Sequence, residues 1–174
     1  MQIKHTVRFE VVLAMAIIFL AMMTRFLPHA PNFSPTLAVA LFAGAMFADK
    51  RLAFGIPLVV ILFTDWALGF YGGMSFVYLA YVLTIVMGMY LRSRKVLPVV
   101  VAALSSAMVF FVFSNLGVWL FAGLYPLTWA GLVQCYVLAI PFFTNTLTST
   151  VLGSAVLFGA HSFVILRSQQ PRLS

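Results

Sequence analysis

The chain has 174 residues, with ten Lys and Arg against three Asp and Glu, a formal net charge of +7, and 64% apolar composition. That apolar content lies in long uninterrupted runs, which excludes an ordinary soluble domain, because such domains build their cores from alternating or amphipathic patterns. The composition predicts an integral membrane protein of all-α fold class, whose basic residues orient it in the bilayer rather than bind nucleic acid.

Crossing the hydrocarbon takes about 20 residues, with a range of roughly 17 to 25. On that measure the runs 9–27, 35–48, 52–70, 74–91, 96–121 and 145–166 predict six spans in a single polytopic transmembrane domain, a six-helix bundle covering the chain. The first run is longer than the apolar stretch of a signal peptide and further spans follow it, so it reads as an uncleaved anchor. The second is short and needs a tilt, a thinned bilayer or extension into Asn32, Phe33 and Ser34. The stretch 128–143 is apolar but also short, and it runs into Pro141. It is expected as an interfacial or re-entrant helix on the outer face, packed on the bundle.

The basic residues test this order independently. Lys4 and Arg8 precede the first span, Lys50 and Arg51 follow the second, Arg92, Arg94 and Lys95 follow the fourth, and Arg167 and Arg172 follow the sixth. The connections after the odd-numbered spans carry only Arg25, at the end of a helix. Short loops rich in Lys and Arg stay in the cytoplasm, so both termini are expected there and the odd-numbered loops outside, in a multi-pass protein of the bacterial inner membrane.

Signatures of catalysis are missing from the sequence. It has no Gly-rich phosphate loop followed by Lys and Ser or Thr, no His-Glu-x-x-His, no paired Cys and no nucleophile elbow. Cys135 is alone, and His161 has no second ligand at a matching position. No enzyme, cofactor or metal site is expected. Glu10 and Asp49 lie beside basic residues at the cytoplasmic surface and read as solvated charges.

Asp65 differs, because it sits one to two turns below the outer end of an apolar helix. A carboxylate there needs a partner or a cavity. Arg25, at a similar depth, is the partner expected, and the pair either fixes packing or lines an outward-facing substrate pocket. His29, Asn32, Asn115 and Asn145 fall at the same level and are the expected hydrogen-bonding groups for a solute. Trp66 points about 100° away from Asp65 on a helix, Trp129 suits an interfacial aromatic belt, and Trp119, one turn from Asn115, is the expected stacking residue. Pro28, Pro31 and Pro35 stiffen the first outer loop into a lid or a tight connection. On the second helix Thr36, Ala40, Gly44 and Ala48 recur every four residues. This smooth ridge either packs within the bundle or docks a partner membrane protein through Ala40, Gly44 and Ala48.

The block from Arg25 to Pro35, the small-residue helix ending Ala43-Gly44-Ala45-Met46-Phe47, and Thr64-Asp65-Trp66-Ala67-Leu68-Gly69-Phe70 resemble a family of uncharacterised bacterial membrane proteins labelled as transport proteins. Ala53-Phe54, Pro57, Ser114-Asn115 with Trp119, Ile140-Pro141-Phe142-Phe143 and Asn145-Thr146-Leu147 extend that resemblance. More distantly the family is similar to the substrate-binding S components of energy-coupling factor (ECF) transporters. That resemblance implies six helices, cytoplasmic termini, a pocket under the first outer loop and an ECF-like energising module as partner. The Ala-x-x-x-Ala docking motif frequent on the first helix of S components is not present, since Ile18 stands four residues after Ala14. The function expected is membrane transport, or substrate binding for it, of a small vitamin-like or micronutrient solute; the alternative is a membrane scaffold or assembly protein.

Overall fold

The computed structural model describes residues 2–91 and 95–169, and side chains over 9, 11–91 and 95–167. The side chains of Lys4, Arg8, Glu10, Arg92, Arg94 and Arg172 lie outside that description, so their part in the charge pattern rests on the sequence alone.

Among the described residues the fold is all-α. Helix α1 covers Gln2–Met23 and ends in a 3-10 turn, Thr24–Phe26; α2 covers Thr36–Met46, α3 Lys50–Leu68, α4 Met74–Met89, α5 Val96–Phe121 and α6 Trp129–Gln169. Three segments, Lys50–Leu68, Val96–Phe121 and Trp129–Arg167, are long and apolar enough to cross a membrane, whereas Val11–Phe26, α2 and α4 are apolar but shorter. Large apolar side chains such as Leu20, Val59, Leu62 and Phe63 stand exposed. A surface of that kind suits lipid rather than water, and it marks a membrane protein. The end of the bundle bearing the α1–α2, α3–α4 and α5–α6 connections is termed the upper end.

Helix α2 explains how so short an element serves the bundle. Every residue from Thr36 to Gly44 is buried, and α2 contacts all five other helices. A helix apolar on every side belongs in an interior. Its 11 residues span about 16 Å, and because its neighbours sheath it, neither tilt nor bilayer thinning is needed to keep its ends from lipid. Irregular backbone at its N-terminal end is acceptable where it lies against protein or lines a cavity.

The closest helix approach is α2 on α4. A Cβ added at Gly44 would strike the Ile85 backbone carbonyl, and one added at Gly88 would strike that of Leu41. The small-residue ridge is thus used inside the chain, with Ala40 and Gly44 buried and Ala48 exposed beyond the helix end. Of the residues expected to dock a partner, Gly44 meets α4 of this chain. Asp49, expected as a simple solvated charge, caps α3 by accepting from the Arg51 amide at 2.8 Å.

The expected separate helix over 128–143 is also corrected. It is continuous with the last span in α6, whose 41 residues reach about 60 Å, past the roughly 40–45 Å of a whole bilayer. Pro141 lies within this helix. The first half of α6 packs on α5, where Tyr136 donates to the Val112 carbonyl at 2.6 Å and Phe111 meets Phe143 at 4.7 Å between ring centres. The second half packs on α2, with Phe158 edge-on to Phe42 at 5.2 Å and His161 beside the same ring at 5.7 Å.

Candidate functional site

The upper end is organised by the loop between the 3-10 turn and α2. Its three prolines restrict the backbone, and Asn32 takes the left-handed conformation, φ 61°, which Asn adopts more readily than most residues. Phe33 N–H closes a turn onto the Ala30 carbonyl at 3.0 Å. From α6, Asn145 donates its side-chain amide to the Pro31 carbonyl at 3.0 Å, tying the loop down.

Beneath the loop, Arg25 and Asp65 form an ion pair with Nη2 to Oδ1 at 2.6 Å, as the cost of an isolated charge at that depth predicts. Asp65 is 3% exposed and its other oxygen accepts from the Tyr78 hydroxyl at 3.0 Å. Arg25 Nη1 also donates to Thr64 Oγ1. One polar cluster therefore joins the end of α1 to α3 and α4. Trp66, next in sequence, points outward at 67% exposure, as helical geometry requires.

A cavity of about 390 Å³ opens beside this cluster, between the loop, the α3–α4 turn, α5 and the first half of α6. That volume falls within the range of small-molecule sites, roughly 300–1,000 Å³. Its wall is chiefly apolar, with the rings of Phe110, Phe111, Phe142 and Phe143, and its polar groups include Asn32, Ser114 and Asn115. A smaller recess of about 170 Å³ adjoins it, lined by Arg25, His29, Ser34, Thr36 and Tyr81 among others. Asn32, Tyr71, Val77, Phe110 and Thr146 border both spaces. The α3–α4 turn is held against α5 at the cavity edge by glycine: a Cβ on Gly73, at φ 82°, would lie 2.6 Å from the Gly117 carbonyl.

The expected site residues divide into groups. Arg25, His29, Asn32 and Asn115 line this space, although Asn115 gives its amide to the Phe111 carbonyl of its own helix at 2.7 Å. Asp65 stands behind Arg25 and positions it. Asn145 is a loop tether. Trp119 does not border the cavity; its indole N–H donates to the Pro126 carbonyl at 2.9 Å and braces the α5–α6 connection. Two expectations are thereby corrected, because common depth along a helix does not fix which way a side chain faces. Trp129, at 83% exposure, agrees with an interfacial position.

Sequence reasoning missed Ser34, Thr36, Ser114, Tyr78 and the two Phe-Phe pairs. The signal was adjacency: Ser34 follows Asn32 by two residues, and Ser114 precedes Asn115. Among the described residues, no group of three or more His, Cys, Asp or Glu is placed to hold a metal ion.

Fold and site together define an all-α membrane protein with an aromatic, polar-rimmed cavity at one end of its bundle. The chain belongs to a family of unknown function, DUF6580, which matches residues 5–173. No curated protein and no solved structure matches it.

Proposed function

We propose that this protein captures a small vitamin-like or micronutrient solute from the outer side of the bacterial inner membrane, as a transport protein or its substrate-binding subunit. The observation that carries the reading is the cavity of about 390 Å³ under the proline-rich loop. Polar groups that are costly at membrane depth gather around it instead of being scattered. The charge pattern supports a topology with that loop outside, both termini in the cytoplasm and six crossings. The resemblance to ECF S components points the same way. The sequence carries no phosphate loop, so uphill transport draws on an ECF-like module or an ion gradient. The scaffold alternative has less to support it, because Gly44 of the ridge on which it rested packs against α4.

Native mass spectrometry of gently purified protein tests the proposal. The expected result is a small molecule released from the wild type and absent from Ser114→Trp, which fills the cavity. A protein that carries no solute and binds none from a micronutrient panel overturns it. Topology is tested separately, by cysteine accessibility in a Cys135→Ser background. Position 29 should label from outside and position 95 from inside; the reverse pattern overturns the orientation.

A further inference from the structure

We infer that the solute is uncharged and amphipathic, with a hydrogen-bond-accepting head in the small recess and a flat apolar body in the large cavity. This rests on the capture reading above and deepens it. The rings of Phe110, Phe111, Phe142 and Phe143 offer faces and edges for an apolar body, and most of the exposed lining is apolar.

The recess is the opposite. A guanidinium carries five N–H donors, and the contacts to Thr64 and Asp65 occupy one on each terminal nitrogen. Arg25 borders the recess with donors left over. Ser34 Oγ, on the same wall, is buried with no hydrogen-bond partner. A buried hydroxyl without a partner costs about 1–3 kcal/mol, so a ligand head toward which Ser34 Oγ turns by a side-chain rotation gains that interaction without displacing an existing one. Leftover donors call for an acceptor head, such as an amide or ring carbonyl.

Charge decides the rest. Asp65 already neutralises Arg25 at 2.6 Å. An anionic head would crowd a second negative charge next to Asp65, and a cationic head would face the guanidinium. Either leaves a charge uncompensated where burial is expensive. His29, which also borders the recess, is exposed, so solvent screens whatever charge it carries. A neutral head avoids both penalties.

Three probes that share one body and differ in the head test this: 2-naphthamide, 2-naphthoate and 2-naphthylmethylamine. Binding is measured on the intact protein in lipid nanodiscs, with Ser114→Trp as the control for partition into lipid. The amide should bind at least tenfold more tightly than either charged probe, and Ser34→Ala should weaken it about fivefold without lowering the thermal melting of the free protein. If naphthoate or naphthylmethylamine binds as tightly as the amide, the inference falls while solute capture stands. If Ser34→Ala binds the amide as well as wild type, the assignment of the head to the recess falls. If none of the three binds in a Ser114-dependent way at millimolar concentration to protein of unchanged melting, this inference falls, and the capture reading is decided by native mass spectrometry.

Discussion

The upper and lower halves of the α2–α4–α5 unit are built from the same helices and reach opposite outcomes. In the lower half α2 and α4 meet backbone to backbone through Gly44 and Gly88, and α5 adds small buried residues, Ala103, Ser106 and Ala107. In the upper half the facing residues are large, Val77, Tyr81, Phe110 and Phe111, and they enclose space instead of eliminating it. Side-chain size, graded along one set of helices, seals α2 against α4 in the lower half and leaves a cavity in the upper, while an open apolar groove runs between α4 and α5 at the lower end. The lower half acts as the clamp against which an upper cavity persists.

The largest expected effect comes from breaking the clamp. Gly44→Leu forces a side chain into the Ile85 backbone and should cost about 3 kcal/mol or more, seen as a collapse in thermal melting and yield. Gly159→Ala, where an added Cβ meets nothing within 4 Å, should change stability by less than about 1 kcal/mol and toward gain. Equal behaviour of the two variants would show that the α2–α4 seam is not the tight contact described above.

Next in size is the ion pair on which the upper half depends. Asp65→Ala leaves Arg25 unpartnered and should cost about 3 kcal/mol, with part of that recovered when Arg25→Ala is added. A double variant no more stable than Asp65→Ala alone would show that the two charges act separately. Asn145→Ala removes one bond to the Pro31 carbonyl and should cost about 1 kcal/mol. Its signature is faster hydrogen exchange over residues 30–34, with the lower half unchanged; uniform acceleration would contradict a local tether. Smallest is Ser114→Trp, a large residue entering open space, which should shift stability by no more than about 0.5 kcal/mol while blocking the cavity. A severe loss of stability there would mean that the upper space is as tightly filled as the lower.

Much of the helical order was legible because apolar runs report their own length and basic residues punctuate them. The Arg25–Asp65 pair was legible for a related reason: a charge at that depth is too costly to leave alone. Direction around a helix was harder. Asn145, Trp119 and Asn115 share a level, yet only Asn115 borders the cavity, and no short stretch of sequence states the rotation of its helix. Pro141 was read as a stop because in water it would be one, whereas neighbouring groups re-satisfy the freed backbone in a membrane protein. The ridge of small residues announced close packing correctly but could not name its partner, since a glycine seam looks the same whether the second helix comes from this chain or another.

The length of α6 turns it into a lever. Thr146 lies at the cavity and Arg167 near the opposite end of the same rod, about 32 Å apart along the axis. A tilt of about 10° with its pivot at the cavity sweeps the far end through roughly 5 Å, since displacement grows with arm length along a straight helix of this rise. A change too slight to alter the upper contacts by more than a fraction of an ångström is thus delivered, magnified, to the other face of the bundle.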